Sequence, residues 1–287
     1  SKTMKFSIKP ILAVLMMALF LVSCRNENSD IDETSNPSTS LKKIKDIDNN
    51  DHIIELYSVS GTTALGYNEL SIRIKNKSNN QYEKNATITW TPMMHMTSMS
   101  HSCPKSLVTK NGSDDTLYNG YIVFQMPQNA SEFWDLKIDY TINGTDYTAI
   151  SVIDVPVSDK KTVASFLGSD NKRYIVAYIN PKNPKVALND MTAGVWMMQD
   201  MMTFPVANGY TLKIDPRMPG MGNHSSPNNV NLTQISAGSL YKGKLSLTMT
   251  GYWKINLQLA DASGNIVGGN DVTDTQTSSS LFFEIDF

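Results

Sequence analysis

Five landmarks recur in the same order in two halves of this chain, so whatever fold it takes must accommodate them twice. Ala86-Thr87-Ile88-Thr89-Trp90-Thr91-Pro92 corresponds to Tyr210-Thr211-Leu212-Lys213-Ile214-Asp215-Pro216, a β-rich stretch that ends in proline. A loop dense in methionine and histidine follows each. Leu117-Tyr118-Asn119-Gly120 then matches Leu240-Tyr241-Lys242-Gly243, and Met126 matches Met249. Trp134-Asp135-Leu136-Lys137-Ile138 matches Trp253-Lys254-Ile255-Asn256-Leu257. An internal repeat of this kind means two copies of one structural unit.

The unit is β. Alternating or β-rich runs predict strands at 53–59, 70–75, 86–90, 121–125, 136–142, 147–152, 174–179, 193–198, 210–214, 244–250, 253–259 and 281–287. Turn formers such as Asn79-Asn80, Asn143-Gly144, Asn208-Gly209 and Ser263-Gly264 separate them. Beyond the N-terminal leader, no stretch carries helical periodicity. Short strands at this spacing build β-sandwiches of about 100 residues. The expectation is an all-β chain of two tandem immunoglobulin-like β-sandwich domains, 51–156 and 173–287. A linker over 157–172 joins them, opening where Pro156-Val157-Ser158-Asp159-Lys160-Lys161 breaks the pattern.

Residues 1–23 predict a signal peptide. Lys2, Lys5 and Lys9 give a positive start, and the uncharged run Ile11 to Val22 is too short for a comfortable membrane span. Leu21-Val22-Ser23-Cys24 resembles a bacterial lipobox, which implies lipidation of Cys24 and attachment to a membrane. Residues 24–50 are polar and charged, the composition of a disordered tether. Within them Ser29-Asp30-Ile31-Asp32-Glu33 resembles the surface-export signals of Bacteroidetes lipoproteins, a plain hydrophilic linker being the other reading. The expected location is the cell envelope, on the periplasmic or surface face of an outer membrane. Removing the leader takes three of the 25 basic residues and none of the 27 acidic ones, leaving 22 minus 27, or about −5. A mildly acidic chain without a basic cluster is a poor partner for nucleic acid.

The chemistry lies in the two loops. Of four histidines, His95, His101 and His224 fall within them. Thirteen methionines lie beyond the leader (16 less Met4, Met16 and Met17), and Met93, Met94, Met96, Met99, Met218 and Met221 are in the loops. Thioether and imidazole together select Cu(I), whereas zinc prefers thiolate or carboxylate with imidazole, and calcium wants oxygen. A methionine filling a core gap is the ordinary alternative. Yet a loop punctuated by proline and glycine belongs at the surface, where an apolar side chain gains little. Met96 and Met99 stand three apart, as do Met218 and Met221, and are taken as counterparts. Met126 and Met249 either reach back to the loops as further thioether ligands or fill the core. Cys103 is the single thiol left after lipidation. It is either a small buried hydrophobe or a ligand two residues after His101. Met197, Met198, Met201 and Met202 divide between core and an exposed methionine-rich edge that would widen the metal-binding face. Trp90, Trp134 and Trp253 are expected as core anchors.

Pro216-x-Met218-Pro219-x-Met221-Gly222-x-His224, followed by Leu240-Tyr241-x-Gly243, Met249-x-Gly251 and Trp253, resembles the YtkA-like family, related to FixH-like proteins. That resemblance implies small exported immunoglobulin-like sandwiches that handle copper. It covers 174–260 well and 53–153 less well. The first half departs from the pattern: it lacks proline and glycine between its methionines, adds His95 and Cys103, and inserts residues before Trp134.

No Ser-His-Asp elbow, zinc-protease helix, phosphate-cradling loop or paired carboxylates stand out. The order around Cys103 also differs from blue-copper proteins, in which cysteine precedes histidine and then methionine. The sequence thus predicts a non-enzymatic envelope lipoprotein that buffers or delivers Cu(I), with a copper-handling membrane protein or oxidase-assembly factor as partner. The competing reading is a surface adhesion or interaction module of tandem sandwiches without metal.

Overall fold

A computed structural model describes residues 40–287. The leader, Cys24 and most of the tether lie outside the described residues. The first half is built from β1 (Lys42–Asp48), β2 (His52–Ser58), β3 (Gly66–Asn76), β4 (Thr87–His95), β5 (Ser100–His101), β6 (Thr109–Lys110), β7 (Tyr118–Phe124), β8 (Phe133–Ile142) and β9 (Thr145–Ile153). They form two antiparallel sheets, β1-β2-β3-β7-β6 and β5-β4-β8-β9. The second half repeats the plan with β10 (Val163–Leu167), β11 (Arg173–Asn180), β12 (Leu188–Met197), β13 (Thr211–Met218), β14 (His224–Ser225), β15 (Val230–Gln234), β16 (Tyr241–Ser246), β17 (Tyr252–Ala260), β18 (Ile266–Gly269) and β19 (Phe282–Asp286). Its layers are β10-β11-β12-β16-β15 and β14-β13-β17, the latter extended by β18 and β19 on opposite ends of β17. Strand for strand the pairing order is that of the first half, except that two strands share the place of β9. The chain is all-β, two β-sandwiches in tandem.

Period-two burial explains why these runs become strands. In β4 the side chains of Ile88, Trp90 and Met94 turn inward, and in β8 those of Trp134, Leu136, Ile138 and Tyr140 meet them. Leu212, Ile214 and Met218 of β13 and Trp253, Ile255, Leu257 and Leu259 of β17 do the same in the second half. The Leu-Tyr-x-Gly landmark is structural. The Tyr118 hydroxyl donates to Glu83 O and accepts from Ala86 N, both at 3.1 Å, and the Tyr241 hydroxyl donates to Ala207 O at 2.6 Å and accepts from Tyr210 N. The glycine two residues on permits close approach. A Cβ at Gly120 would lie 2.5 Å from the Trp90 ring, and one at Gly243 2.3 Å from Val230 O.

Two expected boundaries move. The tether ends sooner than residue 50, because Lys42–Asp48 is the edge strand β1. The linker 157–172 contains β10, the edge strand of the second sandwich. The two halves also share an apolar seam: Val123, Val163, Ile175, Ala177, Trp196 and Phe204 form a third core cluster, with Tyr67, Tyr121 and Met198 packed on it. The described residues make one compact unit. The seam explains why β11 reads Tyr174-Ile175-Val176-Ala177 without alternation: its inner face packs the second sandwich and its outer face packs the first.

Candidate functional site

Both methionine-histidine segments are more regular than loops. Pro92-Met93-Met94-His95 completes β4, and Pro216-Arg217-Met218 completes β13, each hydrogen-bonded along the neighbouring tryptophan strand. Only the short turn beyond is irregular, with Pro219–Met221 forming one 3-10 turn closed by Gly222 at φ 67°. The strand continues because proline in a sandwich strand needs only a missing partner on its N–H side.

The pairing corrects the alignment of the two segments. Pro92 faces Leu136 and Pro216 faces Ile255, each two residues past a tryptophan. Met94 is thus the counterpart of Met218, and Met96 lies in the turn. Met94 pairs with His101 on one side and Trp134 on the other. Residues directly opposite in antiparallel strands share a face, so His101, Met94 and Trp134 form a row across the core face. Met218 pairs with His224 in the same way. Both inner methionines are buried, Met218 only 4% exposed, which overturns the expectation that it is a surface ligand. Met99, Met221 and Met249 are exposed, Met221 by 51%, while Met96 and Met126 lie partly buried on the first core.

Around each row the same constellation closes. The Trp134 indole N–H donates to Met126 O at 2.9 Å, and that of Trp253 donates to Met249 O at 2.9 Å. The His101 ring meets Trp134 edge-on at 5.8 Å, and His224 meets Trp253 at 6.1 Å. His101 Nδ1 lies 2.6 Å from Ser102 O, and His224 Nδ1 lies 2.9 Å from Met221 O. A carbonyl only accepts, so Nδ1 carries the proton in the neutral ring and Nε2 keeps its lone pair; the tautomer is assigned from that partner. Fixing a ligating imidazole through the N–H of its other nitrogen is the usual support for a metal-binding histidine. In the first half Nε2 faces Met126 Sδ at 3.3 Å. In the tautomer so assigned, two electron-pair donors meet there, with the Gln125 amide nitrogen 3.5 Å from Nδ1 on the other side of the ring. Nitrogen and sulfur on one small tetrahedral ion stand about 3.5 Å apart, so the observed spacing fits a shared cation of the kind thioether and imidazole select.

His95 and Cys103 stay apart from this row. Alternation turns His95 to the outer face, where Nε2 meets Asp135 Oδ2 at 2.7 Å and the ring stacks on Phe133. Cys103 is 1% exposed within the first core, and burial pushes its thiol pKa well up, only partly offset by Lys105 and the Val123 backbone. It packs there as a small hydrophobe. Its counterpart is Ser226, since the chain runs His101-Ser102-Cys103-Pro104 in one half and His224-Ser225-Ser226-Pro227 in the other. Sequence reasoning missed Gln125, whose side-chain amide donates to Ser102 O at 3.2 Å beside the ring; no local signal marks it. Met94 was legible from the aligned prolines. Among the described residues, no group of three or more His, Cys, Asp and Glu side chains gathers as a metal site; the soft-donor pair that meets is His101 Nε2 with Met126 Sδ.

No protein-family model matches this chain, and no curated protein matches it. Among solved structures it is similar to FdeC, described as a broadly conserved Escherichia coli adhesin, at 12% identity and a TM-score of 0.23. The match covers 72% of this chain and 59% of that one, so the chain spans less than two thirds of the adhesin's length.

Proposed function

We propose that the chain is a Cu(I)-binding protein of the cell envelope, in keeping with its resemblance to YtkA-like proteins, and that each sandwich holds one ion at the His/Met end of its core. The observation that carries this reading is the pair of imidazoles pinned through Nδ1 to backbone carbonyls, with His101 Nε2 left 3.3 Å from a thioether sulfur. His101 and Met126 supply donors in the first half, with Met96 and Met99 in the adjoining turn. His224, Met221 and Met249 supply them in the second. Neutral donors of this softness hold Cu(I) without drawing it to Cu(II), which suits buffering or handing on the ion rather than catalysis. Cys24 carries the lipid anchor in this reading, and a copper-handling or oxidase-assembly protein of the membrane is the partner.

Anaerobic Cu(I) titration against a chromogenic competitor, with Ag(I) and Zn(II) as controls, tests it. The expected result is two Cu(I) or Ag(I) ions per chain, one lost with His101→Ala and one with His224→Ala, and no competition for Zn(II). A protein that leaves the competitor's Cu(I) untouched is an interaction module instead. Cys24→Ser is expected to release the protein from membranes or leave it unprocessed; unchanged attachment overturns the anchor.

A further inference from the structure

The segment after the histidine is where the two sites differ. Ser102 is fully buried and Ser225 is exposed. Within its own half the Ser102 hydroxyl donates to Pro92 O and its carbonyl accepts from Gln125, and the remaining cover comes from the other sandwich: the Ser102 N–H donates to the carbonyl of Met201 at 2.8 Å. Met201 sits at the tip of the turn that leaves β12. Gln199 N donates to Thr203 O at 2.9 Å, and Asp200 Oδ1 accepts from Met202 N at 2.8 Å, so the tip has a fixed shape. Met198 and Phe204 root it on either side in the apolar seam with Val123. The tip itself exposes two thioethers, Met201 at 42% and Met202 at 47%. Packing does not account for adjacent methionines on a surface turn, where polar residues are the rule. The connection between the same two strands of the first half, residues 77–86, contains no methionine. The turn after β12, which touches the residue next to His101, carries a methionine pair that its counterpart lacks.

We propose that Met201 and Met202 are donors lent by the second sandwich to the site of the first, so that a soft monovalent cation at His101 and Met126 takes thioether ligands from both halves. This rests on the function proposed above. A methionine has three rotatable bonds and an unbranched reach, and the backbone of Met201 already touches the residue next to His101. The first site is then complete only when the sandwiches are docked, while the second is complete within its own half.

The test uses the whole protein with His224→Ala, which leaves the first site alone, and Ag(I) as the probe. The parent is compared with Met201→Leu, Met202→Leu and the double variant, leucine keeping apolar bulk while removing sulfur. The expected result is a fall in Ag(I) affinity of about 10–100-fold in the double variant, the scale on which a lost supporting group weakens a metal site. The melting temperature without Ag(I) stays as in the parent. In the parent, the ε-methyl NMR resonance of Met201 or Met202 shifts with that of Met126 as Ag(I) is added. Unchanged affinity in the double variant, with both resonances unmoved while His101→Ala still abolishes binding, overturns the shared site and leaves the proposed function intact. A parent that takes up no Ag(I) overturns the function itself.

Discussion

His101 and His224 occupy equivalent places in two sandwiches of one topology, yet one ring is enclosed and the other open. His101 lies between the Ser102 carbonyl, the Met126 sulfur and the edge of Trp134, with Ser102, Cys103 and Pro104 buried behind it. His224 is exposed, and so are Met221 and Met249 beside it. Both segments run His-Ser-x-Pro after a strand that carries a buried methionine on its inner face, although the turn between differs and the first half inserts residues before Trp134. Part of the enclosure comes from the junction between sandwiches, where Met201 O accepts from Ser102 N beside the first ring; the second ring is exposed among the described residues.

The strongest way to break that comparison is to open the seam. Trp196 is buried in it, its indole N–H 3.3 Å from the Tyr121 hydroxyl. Trp196→Ala is expected to cost about 3–5 kcal/mol, as for a large buried aromatic, and to split one urea transition into two. Fragments cut at 160, which keep β10 with the second sandwich, are expected to be more stable than fragments cut at 170, which lose it. A single unshifted transition in Trp196→Ala sinks the seam as the source of asymmetry.

The next effect sharpens the likeness of the halves. Met94→Ala and Met218→Ala each empty an equivalent buried position and are expected to cost about 2–5 kcal/mol, read by urea or thermal unfolding. Similar losses support the pairing of Met94 with Met218. If Met96→Ala, and not Met94→Ala, matched Met218→Ala, the register would be the wrong guide.

The sandwiches themselves were legible because most inner strands alternate, and the duplication because tryptophan, tyrosine and glycine fill fixed packing roles. The edge strands were missed in the same place twice, and for one reason. Lys42–Asp48 reads Lys-Lys-Ile-Lys-Asp-Ile-Asp and buries only Ile47, as a charged edge strand that resists further pairing does. Val163–Leu167, just after a polar stretch, is short and buries only its first two residues. Each therefore looked like the polar segment beside it. At the candidate site, residue types marked both segments but not the inward row. A Pro-Met-Met-His run suggests a loop until its pairing with the tryptophan strand is known. Met201 was legible as part of an exposed methionine-rich edge beside the metal-binding face, but its contact with Ser102 depends on docking of two sandwiches and leaves no trace in either segment.

Acidification is expected to separate the halves more gently. His52 is buried against Tyr140, Nδ1 to hydroxyl at 2.8 Å, and desolvation lowers its pKa below the ordinary 6.5, with Glu83 and Asp51 pulling weakly the other way. Below 6.5 the unfolded chain takes up a proton that the folded chain resists. Stability is therefore full above 6.5 and falls as pH drops from there toward the lowered folded value. The second half carries only the exposed His224. Urea midpoints at pH 7.5 and 5.5 should show a drop that His52→Gln reduces; an equal drop in both proteins assigns the acid sensitivity elsewhere.

The smallest expected effect on stability falls three residues from one of the largest. Met221 is 51% exposed in the turn that follows Met218, and Gly222 and Asn223 take the left-handed backbone that closes it. Met221→Ala removes little packed volume, so unfolding should shift by no more than about 0.5 kcal/mol, the range of surface substitutions away from special features. Ag(I) or Cu(I) uptake at the second site should nonetheless weaken, because the thioether there has no other task. Met218→Ala should do the reverse: it lowers stability sharply, and the folded fraction still binds if the inner methionine serves the core. Were Met221→Ala to destabilise as Met218→Ala does, the turn would be packing rather than presenting its sulfur. Were the second site to bind Ag(I) equally well without Met221, the exposed thioether would be incidental. The contrast between two methionines of one short segment thus tests whether position on the sheet, rather than residue type, decides which sulfur is a ligand.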